Sequence, residues 1–288
     1  MYMKSFNQEN DPVALVTGSS AGFGLLCSVE LAKAGFCVIA SMRDTKKQDA
    51  VLALAREQGV ENRLYVYSLD VASEASIIRL EAFLQSIGRV DVLVNNAGFA
   101  LGGFAEEISM EEWRVQFETN FFGVIRVTQA VLPLMRKRMS GRIINMSSIS
   151  GRMGFPGLAP YVASKFAVEG YSESLGLEVS RFGIDVVLIE PGSYATTIWS
   201  TGKRIAAQSK SIDSPYASLL QAIDEHLTAG MSKYGDPKEV AELIVHAATV
   251  KRPALRYPIG RGVWTMIRIR RYLPWNIWKR LIDRTLKR

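Results

Sequence analysis

Short apolar runs alternate with amphipathic stretches from residue 13 onward, the pattern of repeated strand and helix units that build a parallel sheet. Val13 to Thr17, Phe36 to Ser41, Leu64 to Ser68, Val90 to Asn95, Arg142 to Ser147 and Ile184 to Glu190 carry apolar runs of strand length, as expected of strands buried on both faces. Leu255 to Ile259 gives a seventh strand. Between them, Leu25 to Lys33, Lys46 to Gln58, Ala75 to Ile87, Trp113 to Lys137, Val162 to Phe182 and Pro237 to Thr249 have helical length, with apolar residues recurring at three and four. Gly35, Gly59, Gly88 and Gly183 fall where these helices should stop, as C-terminal caps. The pattern predicts one doubly wound α/β unit with a mostly parallel sheet of about seven strands. Between Thr196 and Pro215 it dissolves into polar and small residues, which predicts a mobile loop.

Composition narrows the class. Of 288 residues, 48% are hydrophobic and 22% charged, so the chain can bury a sizeable core. Cys27 and Cys37 are too few for a disulfide framework and lack zinc-ligand spacing, which predicts buried thiols, a reducing compartment and no metal centre. No apolar run approaches the roughly 18 residues a membrane span needs, and the segment from Met1 to Pro12 is polar, so the expectation is a cytoplasmic protein. The net charge of +7 is unevenly spread: residues 251–288 hold 12 Lys or Arg against the single acid Asp283, leaving 23 basic and 27 acidic residues in 1–250. A slightly acidic body has no basic face to track phosphates, which argues against nucleic acid as a partner.

The first strand runs directly into Thr17-Gly18-Ser19-Ser20-Ala21-Gly22-Phe23-Gly24 and then a helix. Three glycines let the backbone turn tightly and approach a pyrophosphate, whose charge is favoured by the free N–H groups and positive end of the helix. A rival chemistry uses the same residues, because Gly18-Ser19-Ser20-Ala21-Gly22 satisfies the nucleophile elbow of serine hydrolases with Ser20 as nucleophile. That reading is weak: only 17 residues precede Gly18, too few to supply an oxyanion donor, and the two histidines, His226 and His246, lie in helix-like segments.

Asn95-Asn96-Ala97-Gly98 closes the fourth strand, Asn145-Met146-Ser147-Ser148 the fifth, and Tyr161-Val162-Ala163-Ser164-Lys165 opens the following helix. Together with the glycine turn, in this order, these pieces resemble the short-chain dehydrogenase/reductase family, over about residues 12–260. The resemblance implies a Rossmann fold and hydride transfer between a nicotinamide cofactor and an alcohol or carbonyl. On a helix, positions 161 and 165 share a face, so the Lys165 ammonium should lie near the Tyr161 hydroxyl and favour phenolate. Moving a phenol from about 10 to near 7 needs about 4 kcal/mol, within reach of one close cation plus an oxidised nicotinamide. The family implies Tyr161 as general acid/base, with Lys165 also holding the nicotinamide ribose hydroxyls. It implies Ser148 as hydrogen-bond donor to the substrate oxygen; Ser147 faces the opposite side of the strand, and only the spacing to Tyr161 chooses between them. Asn120 matches the fourth catalytic residue, a water-mediated link from Lys165 to solvent. Gly18, Ser20, Gly22, Phe23 and Gly24 form the implied phosphate turn, Asp70 the adenine contact, Asn96, Ala97 and Gly98 the adenine-side wall. Pro191 and Gly192 with Thr196, or alternatively Thr197, match the nicotinamide carboxamide ligand. Phe23 departs from the family's usual Ile or Leu and removes no donor.

The cofactor choice turns on the second strand. It ends Ala40-Ser41-Met42-Arg43-Asp44, with Ser41 where an NAD-selecting Asp would stand. Arg43 can grip a 2′-phosphate with its planar fork, helped by Ser20, which favours NADP(H) unless Asp44 claims the guanidinium.

Beyond Gly260 the composition becomes basic and aromatic, dividing the chain into a catalytic domain (1–260) and a C-terminal helical extension (261–288). After Pro274, Trp275, Trp278, Leu281, Ile282 and Leu286 recur on one side, with Lys279, Arg280, Arg284, Lys287 and Arg288 elsewhere. Such a face packs on the catalytic domain or a partner subunit, the reading the sequence slightly favours, or lies on an anionic bilayer. The aromatic residues predict a hydrophobic substrate, and the chain resembles the hydroxysteroid and retinol dehydrogenase branch. Subunit pairing through residues 113–137 and 162–182 is the family's habit, implying a homodimer or homotetramer. The competing class is a dinucleotide-binding sensor or scaffold that turns nothing over, against which the intact Ser148, Tyr161 and Lys165 set argues.

Overall fold

The computed structural model describes residues 11–196 and 203–286; Thr197, the first ten residues and the last two lie outside them. Strands β1 (Val13–Thr17), β2 (Cys37–Met42), β3 (Leu64–Ser68), β4 (Val92–Asn95), β6 (Gly141–Met146), β7 (Ile184–Pro191) and β9 (Arg256–Ile259) form one seven-stranded sheet in the order β3-β2-β1-β4-β6-β7-β9. Every pairing in it is parallel. Leu15 pairs with Ile39 on one side and Leu93 on the other, and β1 and β2 are buried throughout, as the continuous apolar runs require.

Helices cover both faces. On one, α1 (Gly22–Lys33), α2 (Asp49–Glu57) and α8 (Pro237–Thr249) bury Cys27, Leu31, Val51, Val240 and Ile244 against Val16, Val38 and Val94. On the other, α3 (Glu74–Ile87), α5 (Gly123–Arg138) and α6 (Ala159–Val179) bury Leu80, Leu84, Val131 and Leu175 against Leu15, Ile39 and Leu93. This is the doubly wound Rossmann arrangement. The strand order reverses between β1 and β4, and the crevice at their carboxyl ends is where such sheets bind ligands. Gly35, Gly59, Gly88 and Gly183 all have φ between +68° and +96°, the left-handed conformation of a helix-ending glycine.

Three local expectations are revised. The long helix expected over 113–137 is two helices, α4 (Met110–Phe117), begun by a Ser109/Glu112 capping box, and α5, joined by one π-helical turn over Glu118–Phe122. The loop expected between 196 and 215 is in part ordered: β8 (Lys203–Ile205) pairs with a short β5 (Ala100–Gly102), and Ser209 Oγ accepts from Phe104 N at 3.1 Å. Ser209 is buried and Ser214 Oγ donates to Glu107, while Gln208, Lys210, Ser211 and Asp213 stay exposed. A helix unforeseen in the sequence, α7 (Ala217–Gly230), follows. At the C-terminus α9 (Val263–Tyr272) and α10 (Trp275–Leu286) are helical, α10 resting on α7. Among the described residues, no helix is long and apolar enough to cross a membrane.

Candidate active site

The glycine turn sits at the strand-order reversal, between β1 and α1. Gly18 and Gly22 have φ of +74° and +56°, a region costly for any other residue. A Cβ on Gly24 would fall 2.2 Å from Gly18 O and 2.4 Å from Asn96 Nδ2, and one on Gly18 2.9 Å from Ala97 Cα, so neither position has room for a side chain between the turn and the β4 loop. The N-cap residue of α1, Ala21, offers no side-chain cap, and the first turn carries no acid. The initial N–H groups of α1 and its positive end are therefore available to an anion. Asn96 holds the turn from the other side, Nδ2 donating to Thr17 O at 2.9 Å and Gly18 O at 3.2 Å, while the N–H of Ala97 donates to Thr17 Oγ1 at 3.0 Å.

A groove of about 550 Å³ runs along this turn, lined by Gly18, Ser20, Gly22, Phe23, Arg43, Asp70, Ala97 and Thr196 among others, and no histidine joins Ser20 there. His226 and His246 lie exposed on α7 and α8, so the hydrolase arrangement is not assembled. Arg43 is exposed, and among the described residues no ion pair engages it; Asp44 instead accepts from Lys46 N at 3.1 Å. Asp70 Oδ1 accepts from Ala72 N at 3.0 Å, which fixes its loop at the groove edge.

The groove continues into a cavity of about 70 Å³ in which Asn120, Ser148, Tyr161 and Lys165 meet, with Gly98, Pro191, Gly192, Tyr194 and Thr196 completing the wall. They come from three carboxyl-end segments: Asn120 from the π turn, Ser148 from just after β6, and Tyr161 and Lys165 from the first turns of α6. The π turn places Asn120 so that its Nδ2 donates to Phe99 O (3.0 Å) and Ser164 Oγ (3.3 Å), while its Oδ1 accepts from Phe99 N (3.1 Å). Phe23 lines both groove and cavity and packs edge-on against Tyr194 with centroids 5.8 Å apart.

The Ser147 and Ser148 hydroxyls part company. Ser148 hydrogen-bonds the Tyr161 hydroxyl and lies 3.5 Å from Pro191 O, whereas Ser147 Oγ donates to Glu169 Oε1 at 2.5 Å on the far side. Lys165 Nζ donates to Met146 O at 2.6 Å and lies 5.7 Å from the Tyr161 ring centroid. Burial pushes Tyr161 up to about 12, only partly opposed by the Ser148 hydrogen bond, and draws Lys165 down to about 8, opposed by Glu169. The expected lowering of the phenol by its lysine is thus not met in the chain by itself: desolvation of the buried hydroxyl dominates, and what opposes it is the Ser148 hydrogen bond. At neutral pH Tyr161 is a protonated donor.

A second hollow of about 650 Å³ adjoins this one, lined by Phe99, Leu101, Val115, Ile205, Arg204 and Lys210, among others. Val115 of α4 and Ile205 of β8 line this hollow, whereas Trp113 packs against Leu101, Ile108 and Ala206. The tail helices α9 and α10 line neither the groove nor either cavity. Sequence reasoning passed over Glu169, although its position four residues after Lys165 marks the same buried helix face. It also passed over Glu190, Arg152 and Arg256, which no local spacing links.

A parallel sheet with a glycine turn and a Ser-Tyr-Lys constellation at its carboxyl ends defines a class of α/β oxidoreductases. The family model described as short chain dehydrogenase matches residues 12–204, and the chain belongs to that family. It is 45% identical over 278 residues to the uncharacterized oxidoreductase YusZ of Bacillus subtilis, covering 96% of this chain and 99% of that protein. It is 38% identical to human retinol dehydrogenase 8, over 84% of this chain and 79% of that protein. It is equally, 38%, identical to 17-beta-hydroxysteroid dehydrogenase type 1 of Mus musculus, over 86% and 73%. Among solved structures, a short-chain dehydrogenase from Streptomyces avermitilis superposes with TM-score 0.80 at 34% identity, covering 96% of this chain and 99% of that one. A variant of the actinorhodin polyketide ketoreductase with NADPH gives 0.73 at 35%, over 89% and 98%.

Proposed function

We propose that the chain is an NADP(H)-dependent oxidoreductase acting reversibly on a hydrophobic alcohol or carbonyl compound, with residues 1–260 as its catalytic domain. The observation that carries this reading is the convergence of Ser148, Tyr161 and Lys165 on one cavity that opens from the glycine turn. The site fits a dinucleotide on its own geometry: the uncapped start of α1 suits a pyrophosphate, and Gly24 lets the turn close on itself where a Cβ would strike Gly18 O. Gly18, Ser20, Gly22, Phe23 and Gly24 would hold the phosphates, Asp70, Asn96, Ala97 and Gly98 the adenosine side, and Pro191, Gly192 and Thr196 the carboxamide. Arg43, exposed and without a carboxylate partner among the described residues, would grip a 2′-phosphate. The actinorhodin ketoreductase likeness, a structure with NADPH, supports that choice.

When bound, the nicotinamide ring supplies or accepts the hydride. Tyr161 Oη delivers the proton to the carbonyl oxygen in reduction and takes it back in oxidation. Its raised pKa keeps it protonated and ready as an acid at neutral pH. Ser148 Oγ, already on the Tyr161 hydroxyl, steadies the substrate oxygen as charge grows there. Lys165, cationic below about pH 8, holds the ribose hydroxyls and lowers the cost of a transient phenolate. Asn120 closes the floor of the cavity and carries a water that passes protons from Lys165 to solvent.

The likeness to a retinol and a hydroxysteroid dehydrogenase and the apolar wall of Phe99, Leu101 and Val115 favour a lipophilic ligand. Trp264, Tyr272 and Trp275 stand 57%, 77% and 60% exposed in the tail, interleaved with arginines, while Trp278 and Val263 pack inward. That pattern supports peripheral contact with an anionic bilayer from the cytoplasmic side. Exposed Phe122, Phe166 and Leu177 along the π turn and α6 support pairing of subunits through those helices. The test is a panel of aliphatic, steroid and retinoid ketones and alcohols with NADPH and NADH. Turnover with kcat/KM favouring NADPH is expected; binding of NADPH with no turnover across the panel would instead point to a sensor.

A further inference from the structure

Behind the candidate site, two buried carboxylates meet two half-buried guanidinium groups, each of the four from a different segment. Glu169 lies on α6 one turn beyond Lys165, and Glu190 lies near the end of β7; these residues are only 6% and 1% exposed. Arg152 follows the turn after Ser148, and Arg256 opens β9. Arg256 Nε is 2.9 Å from Glu169 Oε2 and 3.2 Å from Glu190 Oε1, and Arg152 Nη1 is 3.6 and 3.3 Å from the same two carboxylates. Arg256 Nη2 also reaches Glu173 at 2.5 Å nearer the surface, and Ser147 Oγ donates to Glu169.

Buried ion clusters contribute little net stability, because desolvation offsets most of the Coulomb gain. This one has a second effect through its position. A carboxylate one turn from a buried ammonium opposes the desolvation that would strip the ammonium of its proton. The other groups touching or beside Lys165 Nζ, the Met146 carbonyl and the Tyr161 ring, are neutral. Burial and repulsion from Glu169 push Glu190 up to about 7 despite Arg152 and Arg256.

We propose that Glu169 is a positioning residue for the reaction: its carboxylate is the counter-charge that keeps Lys165 cationic, and through Ser147 it fixes the turn that aims Ser148 at Tyr161. The inference rests on the reading that Lys165 holds bound NADP(H). The groups facing Glu169 are Lys165 and Glu173 on its own helix, Ser147 and Arg152 from the segment after β6, Glu190 from β7 and Arg256 from β9.

The test follows NADPH binding to the full chain, by quenching of protein fluorescence, from neutral to strongly alkaline pH. Wild-type affinity should fall as Lys165 loses its proton near pH 8, and Lys165→Arg, which does not titrate there, should lose that fall. Glu169→Gln should move it down by about one pH unit, while Glu169→Asp, which keeps the charge and shortens the chain, should leave it in place. A packing role alone predicts the reverse ranking, since Gln keeps the shape; a Glu169→Gln profile superimposed on wild type overturns the proposal. If Glu169→Gln does not fold, Ser147→Ala cuts the link from Glu169 to the turn before Ser148 and should lower turnover several-fold while leaving NADPH affinity in place; unchanged turnover there overturns the positioning role. A wild-type chain that binds no NADPH at any pH would remove the parent reading, a result distinct from an unshifted profile.

Discussion

Lys165 holds its ammonium 5.7 Å from the centroid of the Tyr161 ring, one turn along α6, with its proton directed to Met146 O at 2.6 Å. The lysine is thus anchored to the end of β6, the strand that also delivers Ser148 to the Tyr161 hydroxyl. Both members of the pair are buried, and burial moves them in opposite directions, the phenol up to about 12 and the amine down to about 8. Each is pushed toward its neutral form.

Burying that amine costs stability, and the cost depends on pH. Lys165 binds its proton less tightly in the folded chain (about 8) than in the unfolded one (10.5). The unfolded state therefore holds more protons between these values, and stability rises with pH across that window. Below about pH 8 the full penalty is present, up to about 3 kcal/mol before the Met146 hydrogen bond is counted. Lys165→Met should melt higher than wild type at neutral pH, with the gap closing toward pH 10.5. Calorimetry on both proteins across that range checks it.

Gly24 and Gly88 separate a close approach from a conformational requirement. Gly24→Ala drives a Cβ to 2.2 Å from Gly18 O, so it should abolish NADPH binding and lower the melting temperature. Gly88→Ala meets nothing within 4 Å but must adopt φ +72°, and should cost only about 1 kcal/mol with binding intact. Binding titrations and melting curves of the two variants test the contrast.

Arg43→Ala should reduce kcat/KM with NADPH by about tenfold or more, the loss of a charge-assisted hydrogen bond to phosphate. NADH should be used as before. Equal effects on both cofactors would remove Arg43 from the 2′-phosphate.

Much of this architecture was readable from period and punctuation. Six strands and the helix-ending glycines follow from long apolar runs and left-handed positions, which depend on local sequence alone. Ala100–Gly102 and Lys203–Ile205 are three residues each, too short to show any period, and they exist because they pair with each other. α7 buries no residue fully, so its apolar stripe stood out weakly from the polar stretch before it. The Tyr161 and Lys165 spacing placed both on one helix face, but did not reveal that burial dominates at the phenol. The Glu169 to Arg256 contact joins residues 87 positions apart, and only the fold brings them together.

The tail offers a separable test. A chain ending at Gly260 should keep turnover, because α9 and α10 line neither the groove nor the cavities. It should lose co-sedimentation with vesicles containing anionic lipid, which the intact chain should show at low salt. Equal sedimentation of both would place any membrane contact elsewhere.

The central claim is that the Tyr161 hydroxyl moves the proton. Tyr161→Phe removes that one oxygen and keeps the ring, and the decisive comparison measures NADPH affinity and turnover of the same carbonyl in both proteins. The account predicts NADPH affinity within a few-fold of wild type and turnover reduced by about a hundredfold to ten-thousandfold. Turnover retained at the wild-type rate in Tyr161→Phe would contradict it.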